Sequence, residues 1–127
     1  MKYSQIRQYF HQIAELSGHE SITSQEIYRI LDQLQPTDIY RFTDSYNLIS
    51  VFDSGIPGPT LLFRGDMDAV AVNEYLPISY ASKNSNASHK CGHDGHTTIL
   101  LGLAEKLAEN PPKQGKILLF FQAEEET

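Results

Sequence analysis

Positions 89 to 96 read His89-Lys90-Cys91-Gly92-His93-Asp94-Gly95-His96, so the only cysteine, three of the five histidines and an aspartate share eight residues. Thiolate sulfur, imidazole nitrogen and carboxylate oxygen are the donors that bind zinc, manganese, cobalt or nickel. Asp66 and Asp68 precede this cluster and Glu124-Glu125-Glu126 follow it, which flanks it with carboxylates on both sides. Cys91 and His93 are alternate residues, and alternate side chains of an extended segment face the same way. A free cysteine is ordinarily a small buried hydrophobe, but glycines at 92 and 95 between histidines make poor core sequence. The spacing therefore favours Cys91 and His93 as metal ligands over a nucleophilic Cys91 with His93 or His96 as its base.

The remaining polar residues admit several roles. His89 and His96 suit a ligand, a hydrogen-bond donor to a ligand or a substrate contact, and Asp94 suits a helix cap or the orientation of a histidine. Asp66 and Asp68, again alternate residues, are either a solvated acidic turn or carboxylates that bind metal or hold an imidazole in one tautomer. Three consecutive glutamates are ordinarily a solvated run. Hydrolysis at a metal site, however, needs two carboxylates with different tasks, one to bind the cation and one to move a proton from water to the leaving nitrogen. His11 and His19 have no partner nearby in sequence and read as packing or surface residues. A purely structural zinc site of His89, Cys91, His93 and His96 would leave the aspartates and glutamates without a role.

These groups need elements to hold them. Ile6, Tyr9, Phe10, Ile13 and Leu16 recur at helical spacing and predict a helix over 3–16. Thr23-Ser24-Gln25-Glu26 has capping-box form, and predicts a second helix from about Thr23 that Pro36 stops. Residues 39–64 read as strands, broken by the turn-rich stretch 53–59. Within them Thr60-Leu61-Leu62-Phe63-Arg64 is a near-continuous apolar run of the kind buried on both faces. Its end carries the aspartates, where open α/β sheets bind ligands. Residues 73–90, rich in Ser, Asn and Pro, form a long loop that delivers the Cys-His cluster. A helix through Leu100, Leu103, Ala104 and Leu107 and a strand from Lys116 to Phe121 complete a right-handed parallel crossover.

Size and composition bound the function. With 127 residues the chain supports one domain, and a net charge of −6 argues against a phosphate-backbone binder. No apolar run approaches the roughly 18 residues of a membrane helix. A lone cysteine excludes an internal disulfide, and the N-terminus does not read as a secretory signal, so cytoplasmic is the expected location.

Four stretches resemble the aminoacylase-type metallopeptidases, which include N-acyl-amino-acid amidohydrolases, hippurate hydrolases and auxin-conjugate hydrolases. Phe63 to Val70 resembles the family's "LRADMDALP", Pro77 to Asn84 its "LPYASKN", His89 to Thr97 its "HACGHDGHT", and Phe121 to Glu126 its "FQPAEE". The third of these is long and unusual. The resemblance implies an α/β, three-layer zinc-peptidase-like catalytic domain with a mixed sheet. Residues 1–127 would be its N-terminal part, with the lid or dimerisation domain and the rest of the catalytic domain elsewhere. It implies Cys91, His93 and Glu126 as metal ligands, Glu125 as general base and Asp68 as supporting carboxylate. Anchoring instead on Ala123 would shift the glutamate pair to Glu124 and Glu125. Two divalent ions (Zn, Mn, Co or Ni) would occupy a complete site. Implied partners are a small N-acyl amino acid or peptide substrate and a second copy in a homodimer, with neither nucleic acid nor membrane. The implied activity is metal-dependent amide hydrolysis through an activated water. The alternative is a non-catalytic fragment that binds metal weakly and associates with another chain, and the isolated 127 residues are expected to be inactive. The sequence departs from the family pattern at Gly65, in the residues after the aspartates and in the missing proline before the glutamates, without loss of an implied ligand.

Overall fold

The computed structural model describes residues 1–127. In chain order the elements are α1 (Tyr3–Gln12), α2 (Ser21–Leu34), β1 (Asp38–Arg41), β2 (Leu48–Asp53), β3 (Thr60–Asp66), α3 (His93–Glu109) and β4 (Lys116–Gln122). The four strands form one mixed sheet in the order β1-β2-β4-β3. β2 pairs antiparallel with both β1 and β4, while β3 and β4 run parallel with Asp66 opposite Gln122. The α/β class, the mixed sheet and the parallel β3–α3–β4 unit agree with the sequence. No helix is long and apolar enough to cross a membrane.

The helices pack on one face of the sheet. Leu48 and Phe52 of β2 and Leu119 and Phe121 of β4 meet Phe10 of α1, Ile27 and Leu31 of α2, and Leu100, Leu101, Ala104 and Leu107 of α3. Gly65 permits the closest approach of α3 to β3, since a Cβ there would lie 2.9 Å from Leu100 Cδ1. On the opposite face Leu118 and Phe120 are half-buried and Leu62 is exposed, an apolar surface of the kind a third layer covers.

Three sequence expectations are corrected. The apolar run in β3 is not buried on both faces: Leu61, Leu62 and Phe63 are 51%, 56% and 44% exposed. The reason is topological, because β3 is an edge strand with a neighbour on one side only. The first helix ends at Gln12 rather than 16. There the chain leaves helical geometry so that the Glu15 carbonyl accepts from Ala69 N at 2.7 Å and Leu16 bridges Ala69. The second helix starts at Ser21, which puts Thr23 and Ser24 inside it as buried residues rather than at its cap. Glu15 does the capping from outside, its carboxylate accepting from Ile22 N at 3.2 Å and Thr23 N at 2.6 Å.

The long loop is closed and pinned. Val70 and Ser88 exchange two backbone hydrogen bonds of 3.1 Å, Ser88 Oγ donates to Val72 O at 2.7 Å, and Lys83 N donates to Gln12 O at 2.9 Å. The segment that carries the Cys-His cluster is thus fastened to α1 and to the end of β3.

Because Glu15 supplies the only side-chain acceptors for the free amides of α2, Glu15→Ala is expected to lower stability by about 1–2 kcal/mol. A downward shift of the urea midpoint with unchanged slope would measure it.

Candidate metal centre

Parallel pairing brings the carboxyl ends of β3 and β4 together, and the N-terminus of α3 returns to the same edge. Asp66 ends β3, Asp68 lies two residues beyond, and Glu125 and Glu126 follow β4. Gly92, at φ +88, takes a left-handed turn immediately before α3. That reversal sets His93 over the aspartates and leaves Cys91 exposed at the rim.

His93 is the centre of the arrangement and is 4% exposed. Its Nδ1 lies 2.8 Å from the Asp68 carbonyl and 3.0 Å from Asp68 Oδ1. A carbonyl only accepts, so Nδ1 carries the proton and donates, and Nε2 is the nitrogen left for other work. Nε2 lies 3.5 Å from both Asp66 Oδ1 and Glu126 Oε1. A lone pair that faces two acceptor oxygens is a donor set completed by a cation. Two groups have ligand atoms within 4.8 Å of one another, Asp66-His93-His96 and Asp68-His93-Glu125, and His93 belongs to both. Mixed imidazole and carboxylate donors of this kind suit a divalent transition ion.

Asp68, 1% exposed, also accepts from Ser17 Oγ at 2.5 Å and Glu126 N at 2.8 Å. It is a carboxylate consumed by local donors, which orients His93 and the glutamate segment together. Cys91 sits beside Glu126, whose carboxylate raises the thiol pKa above its ordinary value, with burial and further acidic neighbours adding to the effect. A divalent ion would reverse that balance by stabilising the thiolate.

The glutamates divide. Glu124 has φ +58, its amide donates to Glu20 Oε2 at 2.6 Å, and its carboxylate lies near Gly18, away from His93. Glu125 and Glu126 are the two that reach the His93 side. His96 is half-exposed, pairs through Nδ1 with Asp66 Oδ1 at 2.5 Å and stacks on His93 at 5.4 Å. Neither donor group contains His89, Cys91 or Glu126, so a cluster of four Cys and His ligands is not what the fold assembles around His93, and Cys91 and Glu126 stand beside the groups rather than within them.

Sequence reasoning left His11 without a partner, yet it is buried between two. Nδ1 is 2.9 Å from Asp94 Oδ2 and Nε2 is 2.8 Å from Glu74 Oε2. Arg7 Nη1 adds a second donor to Asp94 Oδ2 at 3.0 Å. Asp94 therefore orients a histidine, but one 83 residues away that no local pattern signals. Arg7 and His11 stand one turn apart on α1, and both reach Asp94 Oδ2. His19 is exposed, as a surface residue should be.

The profile of Peptidase family M20/M25/M40 matches residues 62–127, more than half of the chain, and the chain belongs to that family. It is 34% identical over 126 residues to an N-acetyldiaminopimelate deacetylase of Lactobacillus acidophilus, covering 97% of this chain and 33% of that protein. An N-acyl-L-amino acid amidohydrolase of Geobacillus stearothermophilus is 35% identical over 121 residues, covering 94% and 32%. Among solved structures, the Bacillus subtilis YXEP protein, a dinuclear metal-binding peptidase of the M20 family, superposes with a TM-score of 0.90 at 31% identity, covering 98% of this chain and 35% of that one. The chain spans about a third of the length of the curated relatives it matches.

His89, 6% exposed, has no hydrogen-bond partner at either ring nitrogen. Burial pushes its pKa down to about 4, against the opposing pull of Asp94 and Asp68. Folding therefore favours neutral His89. Below about 6.5 the unfolded chain takes up a proton that the folded chain refuses until about 4, so stability falls as pH drops through that window. His89→Phe is expected to be flatter with pH by on the order of 2 kcal/mol between pH 7 and pH 5, measured as the difference between wild-type and variant urea unfolding at the two values.

Proposed function

We propose that this chain carries the proton-transfer base and one set of ligands of a metal-dependent amidohydrolase that cleaves N-acyl amino acids or small peptides. The observation that carries the reading is the His93 geometry: Nδ1 fixed by Asp68 and Nε2 aimed at Asp66 and Glu126. Relatives named as deacetylases and amidohydrolases of acylated amino acids support the substrate class, and a dinuclear metal-binding neighbour supports two ions.

Cys91, His93 and Glu126 would hold metal, with Asp66 close enough to share it. A bound divalent ion supplies Lewis acidity toward the scissile carbonyl and acidifies a water near it. Asp68 keeps the His93 tautomer and raises its basicity through the bond at Nδ1. Glu125, exposed at the rim and within reach of His93 and Asp68, accepts a proton from the attacking water as the carbon–oxygen bond forms. It then returns that proton to the amine nitrogen as the carbon–nitrogen bond breaks, so a carboxylic acid and a free amine leave.

In the full-length protein, Glu125→Gln is expected to lower kcat for an N-acetyl amino acid by roughly 10²–10⁴-fold while metal still binds. Unchanged turnover would remove Glu125 from the role of base. Glu126→Gln is expected to weaken zinc or manganese binding in equilibrium dialysis by about tenfold or more. Undiminished affinity would instead favour a site confined to residues 89–96.

A further inference from the structure

Residues 91–93 present both the sulfur and the nitrogen of the centre, yet this turn has little to hold it. Its backbone hydrogen bonds are local, from Gly92 N to His89 O at 3.4 Å and from Gly95 N to Gly92 O at 3.0 Å. Its middle residue, Gly92, stands in the left-handed region with nothing within 4 Å of where a Cβ would be. Side chains must therefore fix it: Asp68 holds His93 directly, and the two flanking positions supply further ties.

Lys90, just before Cys91, has its Nζ 3.3 Å from Glu74 Oε2. Asp94, just after His93, meets Arg7 and His11. His11 joins the two ends, with Glu74 on Nε2 and Asp94 on Nδ1. Glu74 is itself fixed by Ser82 N at 2.8 Å. The chain Lys90–Glu74–His11–Asp94 thus brackets the ligand-bearing turn and ties it to α1. The central side chains are buried: those of His11, Glu74 and Asp94 are 9%, 3% and 4% exposed.

We propose that His11 is a positioning residue for the metal centre, which holds Cys91 and His93 in register by bridging Glu74 to Asp94. This rests on the metal-centre reading above. His11 makes no bond to the ligands themselves; it acts on the turn that carries them. An imidazolium is suited to the task because both ring nitrogens carry a proton, point in divergent directions and can donate to one carboxylate each.

The test uses the full-length protein and follows alkylation of Cys91 by N-ethylmaleimide, resolved by peptide mass spectrometry, as zinc or manganese is titrated in. In the wild type, metal should protect the thiol. His11→Gln should raise the half-protecting concentration by about tenfold, as loss of partners that orient ligands does elsewhere. Phe10→Leu, a core change one residue away, should lower the unfolding midpoint without moving the half-protecting concentration. Should His11→Gln fail to fold, Lys90→Gln decides, since that side chain is partly exposed and folding does not depend on burying it. Removal of a positive charge would by electrostatics alone tighten cation binding, whereas loss of the bracket weakens it. An unchanged half-point in His11→Gln, an equal rise in Phe10→Leu, or tighter binding in Lys90→Gln overturns the proposal and leaves the metal reading standing. Absence of any protection in the wild type removes the metal reading, and this inference with it.

Discussion

The contact between Asp68 and His93 is the one on which the rest of the centre depends. A carboxylate with 1% exposure is tolerated only when donors replace the water it has lost. Asp68 finds them in His93 Nδ1, Ser17 Oγ and the amide of Glu126. Those donors come from the start of α3, the segment after α1 and the stretch beyond β4. One side chain thereby draws separate parts of the chain to a single point. It also decides which imidazole nitrogen faces the other carboxylates. Loss of this carboxylate would free the tautomer and the position of the glutamates together.

The sheet makes that meeting possible. Had β3 and β4 been antiparallel, Asp66 and the glutamates would lie at opposite ends of the strands, about 20 Å apart for seven residues. Parallel pairing, with Asp66 level with Gln122, requires a crossover, and α3 is that crossover. Its first residue is His93. A single topological choice therefore sets aspartates, histidine and glutamates at one edge, beyond the carboxyl ends of the strands. Gly65 lets the helix settle close enough for Thr97 Oγ1 to donate to the Asp66 carbonyl at 3.1 Å.

What could be read from the sequence followed the range of the interactions. The alternation of Asp66 with Asp68, the apolar face of α3 and, to within one residue, the bounds of β4 are local patterns visible in the sequence. The alternation of Cys91 with His93 does not hold, because Gly92 breaks the extended run with a left-handed turn that leaves Cys91 exposed and His93 buried. The β3 environment was misread because apolar composition reports a preference for burial, while exposure of Leu61, Leu62 and Phe63 is set by strand order. The capping box at Thr23 was misread for a related reason. Glu15, eight residues away from Thr23, provides a tertiary cap that makes a local one unnecessary. His11 was missed because its partners lie 63 and 83 residues away.

The acidic residues around the turn fall into two sets, and His89 stands between them. Asp68 serves His93, and Asp94 with Glu74 serves His11. The His89 ring lies 6.3 Å from that of His11 and feels the charges of both aspartates. Burial that holds its pKa down to about 4 keeps it a neutral spacer at ordinary pH. The two networks stand side by side, one on His93 and the other on the residues that flank its turn.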